Sequence, residues 1–232
     1  IYISVFMYGT QVMRGITEEK TSRIVEVIIS SVKPFQLMMG KIIGVALVGL
    51  TQFVLWILLT ITLSTAASTI LNKDKSKENI AMMEQLDQMQ TPMNASAILG
   101  CFFFYYLGGY LLYSALFGAV GAAVDNDADT QQFMLPITLP IVFSFVFAQF
   151  VLKDPDGSLA FWTSIIPFTS PIIMMVRIPF GVPVWELLLS MGLLVLGFVF
   201  TIWLASRIYR VGILMYGKKV SYRELAKWIF YK

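Results

Sequence analysis

The sequence predicts an all-α membrane protein, a polytopic helix bundle, and three observations carry that prediction. Of 232 residues, 57% are hydrophobic and only 13% are charged. A soluble domain carries about 25% charged residues. The apolar residues fall in runs of 20 or more, about the length a helix needs to cross a bilayer. The charges collect between the runs with a bias to one side. About five spans are expected over the chain, with a charged helix between the first two and a hairpin before the last.

The chain opens IYISVFMYGTQV, with no Met at the first position and only about a dozen mostly apolar residues before Arg14. Residues 1–13 are therefore expected to be the end of a truncated span. The segment TEEKTSRIVEVIISSVKPFQLMMG follows, and 17–33 reads as one amphipathic cytoplasmic helix. Thr17 is its expected N-cap, with Glu18 and Glu19 in the first turn at the positive end of the helix dipole. Ile24 and Ile28 are four apart, and Val25, Ile29 and Val32 follow the same spacing, giving an apolar stripe. Glu19 and Arg23 make an i,i+4 pair, and Ser22 and Glu26 lie on the polar side. Pro34, which lacks an N–H, is expected to end the helix. A charged helix clamped between spans is either a handle for a partner outside the membrane or a helix lying on the lipid surface.

The second span is expected over 35–71, with Lys41 near its start snorkelling to the interface. Residues 72–94 are polar, and Met82, Met83, Leu86 and Met89 suggest a weak amphipathic helix. Residues 95–124 contain no charge and form the third span. Asp125, Asp127 and Asp129 make an acidic turn. The fourth span covers 133–152, and Pro136 with Pro140 should kink or unwind its first half. Residues 159–180 are apolar but interrupted by Pro167, Pro171 and Pro179 and carry Arg177. They read as a re-entrant or interfacial hairpin. The last span is 182–206, followed by a basic tail over 207–232. In the tail Ser221 and Glu224 form a capping box, and Tyr222, Leu225, Ala226 and Ile229 share a face, as in a helix lying on an anionic inner leaflet.

Placing 14–41, the acidic turn and the tail inside puts 12 of the 17 Lys and Arg on the cytoplasmic side, in keeping with the positive-inside bias. This basic charge is read for the lipid bilayer, not for nucleic acid.

No active site is legible. There is no histidine, the commonest general base and metal ligand. Cys101 is a lone cysteine in an apolar run and reads as a small core residue. The stretch from Gly212 to Gly217, Lys218 and Lys219 approaches a phosphate-binding loop but lacks the closing Ser or Thr and any preceding strand. The acidic turn lacks the Gly and Glu that a calcium loop needs, having Thr130 and Pro136 there. Small residues at helix spacing, Ser114, Gly118 and Ala122 or Gly192 and Gly197, point to close helix packing. Gln52, Thr60, Thr62, Ser144 and Gln149 are the notable polar groups within spans. Gln52, Thr60, Ser144 and Gln149 are candidates for lining a pathway, against the plainer role of bonding a neighbouring helix. These features fit a transporter, a channel or a membrane scaffold.

Several stretches together resemble ABC-2 type transporter permeases. They are EEKTSRIVEVIISS from Glu18 to Ser31, Lys33-Pro34-Phe35-Gln36-Leu37 with Gly40-Lys41, Ile166-Pro167-Phe168-Thr169-Ser170-Pro171, Val176-Arg177-Ile178-Pro179, and the tail from Arg207 to Lys219. The branch they are most similar to is that of sodium-efflux permeases. The resemblance implies one transmembrane domain over 1–232, preceded in the family by a first span and a large extracytoplasmic domain. It implies no catalysis and no cofactor in this chain, with ATP and Mg held by a separate ATPase subunit. The cytoplasmic helix would couple to that subunit through Glu18, Glu19, Arg23 and Glu26. It further implies a dimer of membrane subunits in the cell membrane, efflux of an ion or small molecule, and a hairpin at 159–180 closing the outer exit.

Overall fold

A computed structural model describes residues 1–70, 95–216 and 221–230, and all regular structure among them is helical. The expected helix at 72–94 and the Gly217-Lys218-Lys219 stretch lie outside the described residues. The helices are α1 (Tyr2–Thr21), α2 (Ile24–Ile29), α3 (Pro34–Ile70), α4 (Ala95–Ala123), α5 (Asp127–Val151), α6 (Ser158–Ile165), α7 (Ser170–Arg177), α8 (Val184–Gly212) and α9 (Tyr222–Phe230). Among the described residues four stretches are long and apolar enough to cross a membrane: Pro34–Ala66, Ser96–Ala123, Asp129–Val151 and Val184–Gly212. Helix α1 is not among them, since its last turns carry Arg14, Glu18, Glu19 and Lys20.

Helix α4 is the centre of the bundle, with α1 on one side and α8 on the other. It buries Tyr105, Tyr106, Tyr110, Leu112, Tyr113 and Phe117. Small residues let its backbone approach both neighbours. A Cβ on Gly121 would lie 2.6 Å from the Met13 carbonyl oxygen of α1, and one on Gly212 of α8 would lie 2.9 Å from the Ala122 carbonyl oxygen of α4. Gly118 meets Ile16, and Gly197 meets Pro167, as the small-residue spacing led one to expect. Gly192 has open space around it, with no neighbour among the described residues within 4 Å of a Cβ there. Two of the tyrosine hydroxyls of α4 satisfy carbonyls across helix boundaries: Tyr110 donates to Ile42 at 2.7 Å and Tyr113 to Phe168 at 2.6 Å. Cys101 is buried in this core.

The cytoplasmic helix differs from expectation. Residues 17–33 are not one helix. Helix α1 runs through Thr17 to Thr21, and Arg23 adopts a left-handed conformation (φ 59°) that separates it from α2. Thr17 is therefore no N-cap. Its hydroxyl bonds back to the Met13 carbonyl at 3.1 Å, the i−4 contact open to any helical threonine. Glu18 and Glu19 sit at the end of a helix, not its start. Pro34 begins α3 instead of only ending what precedes it, because an N–H is dispensable at the first helical position. The Gln36 side chain accepts from the Lys33 N–H at 3.3 Å, fixing that start.

Helix α5 begins inside the expected acidic turn, at Asp127, six residues before the expected start of the span. The Asn126 side chain caps it by accepting from the Asp129 N–H at 2.8 Å. Pro136 and Pro140 lie inside an unbroken helix, so the expected unwinding does not occur. The segment before the last span forms α6 and α7, joined by a turn at 166–169 and followed by a short 3-10 turn, Ile178–Phe180. Pro167 of that turn touches Gly197, and Pro171 touches Gly109. Gly197 lies 13 residues into α8, about 20 Å along it at 1.5 Å per residue, so the turn meets α8 near its middle.

Candidate functional site

The segments that the charges assign to the inside gather at one end of the bundle. Lys20, at the end of α1, is fully buried there. Its Nζ lies 2.8 Å from Asp125 Oδ1 and donates to the Ala122 carbonyl at 2.7 Å. Lys41, in the second turn of α3, lies 2.6 Å from Glu19 Oε2 and donates to the Gly15 carbonyl at 2.8 Å. Lys41 thus binds α1 instead of snorkelling. Helix α2 stands out from this end. Val25 is buried and Ile29 packs on the core, while Ile24, Glu26 and Val27 are exposed, Val27 to 74%. The apolar stripe is thus split: part anchors α2 and part faces outward.

Of the residues expected to meet a partner, Glu18, Arg23 and Glu26 are exposed and Glu19 is committed to Lys41. The Glu19–Arg23 pair does not form, since the left-handed turn at Arg23 takes it off the helix. Arg23 instead lies over the Tyr216 ring at 5.9 Å. Burial, and then the Glu26 carboxylate beside it, push the Tyr216 phenol above its ordinary value.

The four pathway candidates are not brought into one site. Gln52 is exposed and accepts from the Tyr8 hydroxyl. Thr60 is exposed and turns its hydroxyl to the Trp56 carbonyl of its own helix. Ser144 is buried and does the same to Pro140 at 2.7 Å. Gln149 is exposed.

The structure contains a cleft that reading the sequence missed, between α1 and α5. Its inner part, about 840 Å³, is lined by Thr10, Arg14, Thr17, Glu18 and Thr21 on one wall and Asn126, Thr130 and Gln131 on the other. A second, more open part of about 630 Å³ shares Gln131 and Met134 and continues past Phe6, Leu135, Ile141 and Val142. The signal was in the sequence: Thr10, Arg14, Thr17 and Thr21 recur at the helical period opposite the buried Val5, Val12 and Ile16.

At the other end Arg177 joins α7 to α8. Its Nη1 lies 2.8 Å from Glu186 Oε2 and donates to Ser164 Oγ at 2.7 Å, and its Nε donates to the Pro155 carbonyl at 2.8 Å. Among the described residues no group of three or more acidic, Cys or His side chains is placed to hold a metal ion.

The sequence pattern of the ABC-2 family transporter proteins matches residues 1–207. The chain belongs to that family. Members are membrane components of ABC transporters, which agrees with the apolar helices and identifies an integral membrane protein. The chain is similar to the uncharacterised protein YhaP of Bacillus subtilis, with 33% identity over 97% of this chain and 52% of that protein. It is also similar to the uncharacterised protein MJ1024 of Methanocaldococcus jannaschii, with 24% identity over all of this chain and 52% of that protein. The chain thus spans about half the length of the curated relatives it matches. No solved structure matches it.

The inner ion pair of this ABC-2 chain gives a pH-dependent expectation. Burial pushes the Lys20 ammonium below its ordinary value of 10.5, and the Asp125 carboxylate opposes that shift. The folded protein then binds fewer protons than the unfolded chain between the lowered value and 10.5, so stability rises with pH across that window. Asp125→Asn removes the opposing carboxylate and extends the window downward. We expect a loss of about 1–3 kcal/mol at neutral pH. The loss should shrink as the pH is raised, measured as melting temperatures of the two proteins in detergent. A loss that grows with pH contradicts this assignment.

Proposed function

We propose that the chain is the permease part of an ATP-driven exporter in the cell membrane, coupled to a separate ABC ATPase and working as a dimer of membrane subunits. The observation that carries this is α2. It is a short helix held out from the inner end of the bundle by a left-handed arginine, with Glu26, Ile24 and Val27 exposed around one turn. Residues 1–13 of α1 lie in the membrane beside the four spans, the cleft between α1 and α5 is the pathway, and the α6–α7 turn, lodged against the middle of α8, is the tip of a re-entrant hairpin at the outer exit. The resemblance to sodium-efflux permeases makes sodium the first substrate to assay. A channel needs no ATPase partner, so transport by the full-length protein without one excludes this reading.

The test reverses Glu18 and Glu26 together, leaving Glu19 in its pair with Lys41. Exposed charges contribute only about 0–1 kcal/mol per pair to folding, whereas facing like charges across an interface cost several kcal/mol. Glu18→Lys with Glu26→Lys in the full-length protein is expected to fold and insert normally while losing stimulation of the co-expressed ATPase and at least about tenfold in transport. Normal coupling in that variant means that α2 is a surface anchor.

A further inference from the structure

In an α-helix the carbonyl of each residue accepts from the N–H four residues later. Pro136 has no N–H, so the Gln132 carbonyl has no such donor within α5. The helix still runs unbroken from Asp127 to Val151. The replacement donor comes from the tail. The Tyr222 hydroxyl, in the first turn of α9, donates to the Gln132 carbonyl at 3.2 Å, and its ring lies 4.7 Å from the Phe133 ring. The rest of α9 is seated on α8: Trp228 is buried, and a Cβ on Gly212 would come within 3.1 Å of its ring. Glu224 accepts from the Ser221 N–H at 3.4 Å, closing one half of the expected capping box. The tail helix therefore bridges the inner end of α8 to the proline gap of α5.

We infer that α9 is a latch on α5 in which Tyr222 is a positioning residue, its hydroxyl replacing the N–H that Pro136 deletes. The latched carbonyl lies beside Gln131, which lines both parts of the cleft between α1 and α5. The latch sets where the inner wall of that cleft stands. A helix that lacks an internal bond bends most readily at that point, so releasing Tyr222 frees the first turns of α5 to swing. This device is intramolecular and stands whether or not an ATPase binds α2.

The test uses the full-length protein in lipid nanodiscs, with backbone amide hydrogen exchange as the readout. Tyr222→Phe keeps the ring and removes only the donor. Amides of α5 between 130 and 143 are expected to exchange roughly three- to tenfold faster, with α4 unchanged. Pro136→Ala restores an N–H to the Gln132 carbonyl, and in that background Tyr222→Phe is expected to leave α5 exchange unchanged. Equal acceleration in both backgrounds, no acceleration in the native one, or a general rise that includes α4 would each overturn the latch.

Discussion

Arg177→Met is expected to destabilise the full-length protein by about 3–5 kcal/mol. Arg177 is only 2% exposed and Glu186 only 8%. Removing the guanidinium leaves a buried carboxylate without its partner, together with the Pro155 carbonyl and the Ser164 hydroxyl that it served. A buried pair broken on one side costs far more than the intact pair contributes, because the stranded charge cannot recover its hydration. Arg177→Met with Glu186→Met removes both charges and should recover most of the loss. Melting of the purified protein in detergent reads both variants. If the single variant loses less than about 1 kcal/mol, the carboxylate is hydrated and the hairpin is not fastened by this pair.

Gly121→Leu is the second large effect expected. The first atom of any side chain there would come 2.6 Å from the Met13 carbonyl oxygen. That obstacle is backbone and cannot turn aside as a side-chain tip does, so α1 and α4 must separate. Separation strains the Lys20 contact to Ala122 at 2.7 Å and the Thr17 contact to Gly121 at 3.3 Å. Overpacking alone costs about 1–3 kcal/mol, and the added bonds place this variant at or above the top of that range. Gly192→Leu is the control. Nothing lies within 4 Å of a Cβ there, so its stability should change by less than about 0.5 kcal/mol. Equal behaviour of the two variants would remove the close approach of α1 to α4 as the cause.

Helices dictated by their own composition were legible in the sequence. The uncharged run at 95–124 became Ala95–Ala123, the acidic turn became the cap of Asp127–Val151, and the capping box at Ser221 opened Tyr222–Phe230. What was not legible depends on distant partners. A left-handed arginine at position 23 carries no local signature, since glycine and asparagine are the usual residues there. The Gln132 carbonyl left without a helical donor by Pro136 is met by a tyrosine 90 residues away. Trp228, not Ala226, faces the core because Gly212 leaves room for its ring. The candidate site divided in the same way. Glu18, Arg23 and Glu26 are exposed, while Glu19 pairs with Lys41, a contact between two helices. The cleft was missed because attention to charge passed over a stripe of threonines.

Helix α3 is packed on the bundle along its first half and exposed along its second. Met38, Ile42 and Ala46 are buried, whereas every residue from Val54 to Ala66 is exposed. The packing reaches Phe53, whose ring meets those of Phe102 and Tyr106. From there to Ala66 is 13 residues of helix, about 20 Å. Roughly two-thirds of the thickness of a bilayer's hydrocarbon core is thus met by apolar side chains of α3 turned outward, toward lipid or a second chain.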